Sequence, residues 1–204
     1  MRHGSGALVL VATAALSVRA AELPGSARAA TALERCSEAD HVRGAARAEL
    51  LKKGLALAEE AVAADDTDAR AHFAVFCNLG KQVQDAGLSV FNLGKLPRLR
   101  REVDRTLELV PDSTDALVGK GAMLRATPRL LGGDLAEAER LLRRAVTIDP
   151  AFAYAHLELA RVLADRDAVG EARVEATRAL ELARQRGDAG DVEQAEALLA
   201  ELAR

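Results

Sequence analysis

Apolar residues recur along most of this chain at helical spacing, and no long stretch alternates apolar and polar with a period of two. The last segment is the plainest case. Val192, Ala195, Leu198, Leu199 and Leu202 share one helical face. The pattern predicts an all-α protein of eight helices in four hairpins, at 27–65, 68–110, 114–149 and 151–183, followed by a terminal helix within 188–204. "GDAG" (187–190) is read as a break, after which Asp191 is expected to cap the terminal helix, with Gln194 three residues on. The first twenty residues are of another kind. Arg2 and His3 precede the uncharged apolar run "ALVLVATAAL", and Val18 and Ala20 are small residues placed as before a cleavage site. Residues 1–20 read as a secretory signal, too short to span a bilayer, which needs about 20 apolar residues. A periplasmic or secreted product is expected. No Cys lies near Ala20 to take a lipid anchor, so the membrane is expected to enter only through the cleaved signal.

The helical pattern repeats. "AERLLRRAVTIDPAFAYAHLELA" (138–160) and "VDRTLELVPDSTDALVGKGAML" (103–124) both run from an amphipathic helix through Pro-Xaa-Xaa into a new helix. "AEEAVAADDTDARAHFAVF" (58–76) does the same, with Asp66 where the others carry Pro111 and Pro150. Ala138, Leu142, Ala145 and Pro150, then Leu159, Ala160, Leu163, Ala172 and Ala179, resemble the tetratricopeptide (TPR) repeat, a helix–turn–helix unit of 34 residues. The resemblance implies a TPR-like α-solenoid over 27–184 with a capping helix at its C-terminal end. Pro111 and Pro150 are 39 positions apart, and Asp66 and Pro111 are 45 apart, so two units carry insertions. Their expected places are the turns inside the hairpins, near 127–133 and 87–96, where they can contact partners.

"PRLLGGD" (128–134) poses a choice between ligand loop and corner. Leu130 and Leu131 read as the end of a helix stopped by Pro128, Gly132 as a left-handed terminator, and Asp134 as the cap of the next helix with Glu137 three residues later. A phosphate loop needs further glycines and a following Lys-Ser or Lys-Thr, which are absent, so the corner is favoured. The longer stretch 128–150, with "RLLGGD" between paired helices, is similar to the periplasmic TPR component associated with TRAP-type, tripartite solute-uptake systems. That likeness implies an accessory role, a solute-binding protein as partner, and oligomerisation.

Composition narrows the chemistry. Half the residues are apolar but only 2% are aromatic, and Trp is absent, so the core must be built of Ala and Leu. The net charge of −3, with no aromatic among the basic residues, argues against nucleic acid. Cys36 and Cys77 fall on the first helices of neighbouring hairpins; they are either a disulfide, which export permits, or two small apolar residues. His72 and His156 occupy equivalent places in two units, which favours packing over general-base work. Neither a metal-ligand set nor a nucleophile elbow is present, and "VGKGAML" (118–124) sits mid-helix, where its glycines admit a neighbouring helix. No enzyme activity and no cofactor are expected.

Two binding surfaces are expected instead. In the TPR family the first helices of the units line a concave groove. Carried onto this chain, that groove holds Arg70, Phe73, Cys77 and Lys81, then Asp115, Val118 and Arg125, then Tyr154, Arg161 and Asp165. Its two rings and mixed charges suit a protein or peptide partner. It lacks the Lys/Asn clamp with which some members hold a C-terminal carboxylate. The second surface is the basic cluster Lys95, Arg98, Arg100, Arg101 and Arg105. Cations at a helix N-terminus oppose its dipole, so they are there either for an anionic ligand or acidic partner, or as a solvated face beside Glu102 and Asp104.

Overall fold

The computed structural model describes residues 23–86 and 94–204; the expected export signal and most of the first insertion, 87–93, lie outside them. Nine α-helices fill the described residues: α1 (Ala27–Glu38), α2 (Gly44–Ala64), α3 (Ala69–Ala86), α4 (Leu96–Leu109), α5 (Thr114–Ala126), α6 (Leu135–Ile148), α7 (Ala153–Asp165), α8 (Val169–Arg186) and α9 (Ala189–Leu202). Short 3-10 turns stand at Ala39–His41 and Arg129–Leu131. Helices pair as α1/α2, α3/α4, α5/α6 and α7/α8, and α9 packs on both α7 and α8. First helices also pack on first helices, α1 on α3 and α5 on α7, so the hairpins stack into an α-solenoid.

The turns between hairpins follow one plan. Asp65 Oδ1 accepts from the Thr67 N–H at 2.8 Å, and Asp149 Oδ1 accepts from the Ala151 N–H at 3.0 Å. Each carboxylate holds a turn that exits one hairpin and enters the next. Two of the first helices, α3 and α5, start on side-chain caps, while α7 has none. Asp68 accepts from the Ala71 N–H at 2.8 Å, and Ser113 from the Ala116 N–H at 3.3 Å. The start of the terminal helix differs from the sequence expectation. Asp188, not Asp191, caps α9, accepting from the N–H groups of Gly190 and Asp191 at 3.0 Å each. Gly187 takes the left-handed conformation (φ 71°) that ends α8, and Gly190 is already helical.

Small residues set how closely helices meet. A Cβ on Gly121 would lie 2.7 Å from Leu142 Cγ, and one on Gly119 would lie 2.6 Å from a Phe76 ring carbon. α5 can therefore accept α6 on one side and Phe76 of α3 on the other. The largest core cluster joins Leu117, Val118, Leu124, Leu141, Leu142, Leu159, Val162 and Leu163, from α5, α6 and α7. The clusters under α1 and α2 are built mainly of alanines. Cys36 and Cys77 are joined by a disulfide between α1 and α3, with their Cα atoms 6.2 Å apart.

Candidate partner-binding site

The side chains expected to line the groove sit on α3, α5 and α7. Most of the charged ones are engaged within the chain. Arg70 Nε donates to the Leu23 carbonyl at 2.8 Å and holds the segment before α1. Lys81 donates to the Cys36 carbonyl at 2.9 Å and pairs with Asp40. Lys81 thus ties the first hairpin to the second, and Arg70 ties the segment before it. Cys77 is consumed in the disulfide. Val118 is a correction: it is 2% exposed, inside the α5–α7 core, so it cannot touch a partner. Helical phase turns it into the cluster that also holds Leu142 and Leu159. Phe73 is half-buried against the Phe76 ring, with centroids 6.0 Å apart, and Asp115 is exposed.

The remaining groove residues converge on one group that the sequence reading missed, Glu158. This carboxylate on α7 is 2% exposed. Arg161 Nη1 donates to its Oε1, and Arg125 Nε of α5 lies 3.5 Å from its Oε2. Arg161 Nη2 reaches Gln194 of α9 at 2.9 Å, and Arg125 Nη1 reaches Asp165 at 3.2 Å. A buried charge is costly unless paired, and here two guanidinium groups from neighbouring helices share it. Burial, and then the Glu158 charge, push the Tyr154 hydroxyl well above the usual tyrosine range. Tyr154 and Asp165 are the partly exposed edge of this cluster. The sequence does hold a signal for Glu158: flanked by Leu157 and Leu159, it is the one carboxylate between Phe152 and Ala164.

The two histidines form matching ties. His72 Nδ1 lies 2.7 Å from Glu102 and Nε2 lies 3.1 Å from the Asp66 carbonyl. His156 Nδ1 lies 2.6 Å from Glu175 and Nε2 lies 3.1 Å from the Pro150 carbonyl. Each buried ring links the turn before its helix to the second helix of the same hairpin, which is structural work. Among the described residues no cluster of His, Cys, Asp or Glu is arranged to hold a metal, and no helix is long and apolar enough to cross a membrane.

The basic cluster is largely spent on the fold. Arg98 pairs with Glu59 of α2 at 2.7 Å, and Arg105 pairs with Asp66 at 3.4 Å. Arg100 Nη2 donates to the Gly132 carbonyl at 2.8 Å. The side chains of Lys95 and Arg101 make no hydrogen bond or ion pair among the described residues. Arg98 also meets Glu102 at 3.7 Å, a local partner expected of the solvated-face reading, and Arg105 meets Glu108 at 3.2 Å; beyond these, Arg98, Arg100 and Arg105 bind acids and a carbonyl from elsewhere in the chain. Pro97 sits in the first turn of α4, where its missing N–H has no helical partner to lose.

"PRLLGGD" is a corner. Gly132 is left-handed (φ 92°), and Asp134 caps α6 by accepting from Ala136 and Glu137 N–H at 2.9 and 3.0 Å. Gly133 N–H donates to the Pro128 carbonyl and Asp134 N–H to the Leu124 carbonyl. Leu130 and Leu131 do not end a helix, however. α5 stops at Ala126, and the two leucines lie on a separate 3-10 turn, 99% and 42% exposed.

No family model and no curated protein matches the chain. Solved structures do match. TTC0263, described as a thermophilic TPR protein of Thermus thermophilus, aligns at a TM-score of 0.54 and 16% identity over 84% of this chain and 89% of its own. The MamA RS-1 ArsTM double mutant aligns at 0.52 and 17%, over 89% and 97%. MamA 41-end from Desulfovibrio magneticus RS-1 aligns at 0.51 and 17%, over 88% and 95%. At such identity the likeness speaks for the fold, and the chain has the TPR-type α-solenoid fold. These structures do not show the expected likeness to a solute-uptake component.

Proposed function

We propose that this chain is an exported, non-enzymatic scaffold that binds a protein or peptide partner through the face built by its first helices. TPR-type solenoids are the class of fold in which such a face is the working surface, although fold by itself is a weak warrant for function. The observation that carries the reading is the Glu158 cluster. Arg125, Arg161 and Gln194 are locked across three helices, so Tyr154 and Asp165 are presented on an ordered surface. A partner docking there has little side-chain freedom left to freeze, which favours binding. Export is supported by the apolar run at 7–16 and by the Cys36–Cys77 pairing, since disulfides persist in oxidising compartments.

The reading is tested with tagged wild type and the double variant Asp115→Arg/Asp165→Arg, both incubated with extract from the exporting compartment. Asp115 and Asp165 are exposed enough for the variant to keep its fold, which a circular dichroism melt checks. A defined partner should be captured by the wild type and lost at least tenfold in the variant. Equal recovery of the same partner would remove the first-helix face from the reading, and a wild-type chain retaining residues 1–20 in the cytoplasm would remove export.

A further inference from the structure

The two leucines of the 128–134 corner are placed at a cost that the fold does not explain. A solenoid hairpin can be closed without this insertion; α7 and α8 are joined by only Arg166, Asp167 and Ala168. Between α5 and α6 the longer corner is held rigid by the left-handed Gly132, by the Asp134 cap and by Arg100 donating to the Gly132 carbonyl. A Cβ on Gly133 would lie 1.7 Å from the Thr127 carbonyl oxygen, so the turn is also closed from inside. The result is a fixed knob with Leu130 wholly in water and Leu131 partly so. Arg129 is exposed beside them, and its side chain makes no hydrogen bond or ion pair among the described residues.

The same chain carries the complementary shape. Between the start of α1 and the end of α2 lies an open hollow of about 620 Å³. Pro24, Ala27, Ala61 and Ala64 line it, Asp65 stands exposed at its rim, and Asp68 reaches it as a buried carboxylate that accepts from the Ser26 and Ala71 N–H groups. Its depth comes from side chains that end at Cβ, which leaves room for branched side chains from outside. Arg28, which also reaches it, is held by Glu60 at 3.6 Å. Hydrogen bonds from the Thr67 hydroxyl and N–H hold the Asp65 carboxyl below its usual range, so the rim stays charged at neutral pH.

We infer that a second copy of this chain inserts its Leu130–Leu131 knob into the hollow between α1 and α2, with Arg129 facing the Asp65 rim. An apolar knob beside the exposed Arg129 is matched by charge to a hollow whose exposed rim acid is Asp65. In antiparallel hairpins the corners within hairpins lie on one edge of the stack and the turns between hairpins on the other. The knob is of the first kind and the hollow is beside the second, so they lie on opposite edges and in different hairpins. The contact is heterologous, head to tail, and builds a ring or an open chain of copies. It holds whichever partner the first-helix face takes.

Sedimentation of the full chain over a wide concentration range tests this. Two variants at exposed positions break opposite halves: Leu130→Asp spoils the knob, and Ala64→Lys fills and charges the hollow. Wild type should gain mass with concentration, and each variant should need at least tenfold more protein to do so. The mixture is the sharper arm. The intact knob of A64K enters the intact hollow of L130D and nothing further can add, so the mixture should stop at a dimer. A monomeric wild type, variants that associate like wild type, or a mixture without dimers would each overturn the inference. So would a monomeric wild type that binds anionic lipid vesicles through Leu130, which would make the knob a membrane contact.

Discussion

The first joint of the stack, where α1 and α2 meet α3, and the third, where α5 and α6 meet α7, solve one packing problem with different means. At the third joint Leu117, Leu141, Leu142, Leu159 and Leu163 interdigitate in a single cluster. At the first, Ala29, Ala61 and Ala71 form one small cluster, Ala32, Ala58, Ala74 and Val75 another, and Cys36, Ala39 and a single buried leucine, Leu51, a third. A buried methylene contributes about 0.8 kcal/mol, so a joint of alanines gains far less from burial than one of leucines. The first joint adds other ties. The buried Asn78 amide donates to the Ala32 and Ala74 carbonyls at 3.0 and 2.9 Å, and Asp68 accepts from the Ser26 N–H at 2.8 Å. Gly54 leaves the space that Asn78 fills, since a Cβ there would lie 2.1 Å from its Oδ1. The disulfide completes the set. Where apolar burial is thin, this chain holds its hairpins by polar contacts and one covalent bond.

Removing that bond is the strongest way to break the contrast. Cys36 and Cys77 are 41 residues apart in sequence, and closing a loop of that size removes about 4 kcal/mol of unfolded-state entropy. Because each repeat contacts only its neighbours, the loss should fall on α1, α2 and α3. Amide hydrogen exchange with and without reductant reads this directly. Reduction is expected to speed exchange in α1 and α2 by at least a hundredfold while α7 and α8 keep their protection. Uniform acceleration along the chain would mean that the two joints do not differ in kind.

The converse change is Leu142→Ala. Leu142 is fully buried and sits against the bare backbone of Gly121, which has no side chain to move into the space. A loss of about 3 kcal/mol is expected, as for leucine-to-alanine changes in cores that cannot collapse. Urea unfolding followed by exchange should place the loss in α5 to α8 and leave α1 and α2 unaffected. Weakening confined to the N-terminal hairpins would contradict this division of labour between the joints.

The architecture was open to sequence reading because its determinants are local. Helical periodicity, the Pro-Xaa-Xaa exits at Pro111 and Pro150 and the cap at Asp134 all act within a few residues. The candidate site was less legible, because its partners are distant. Arg98 meets Glu59, Arg100 meets the Gly132 carbonyl, and Arg125 meets Glu158, each more than 30 residues away. A cluster that looks unpaired along the chain is therefore paired in space. Val118 was misassigned for a related reason. The position that faces the groove in the repeat family is here turned into the core by the close packing of α5 on α6.

The end of the stack gives the smallest test, and it separates two acids three positions apart. Asp188 accepts two backbone N–H groups at the start of α9, so Asp188→Ala should cost about 1 kcal/mol. Asp191 makes no such bond. Burial, and then the Asp188 charge, push its carboxyl above the usual range. A carboxyl raised on folding contributes stability that is complete below its unfolded pKa and is lost as pH rises through its folded pKa. Asp191→Asn removes that loss. The variant should melt slightly above wild type at neutral pH, by a few tenths of a kcal/mol as for other partly exposed positions, and the gap should close on acidification. A cap at Asp191 would give the reverse: a clear fall in melting temperature at neutral pH for Asp191→Asn, and little change for Asp188→Ala.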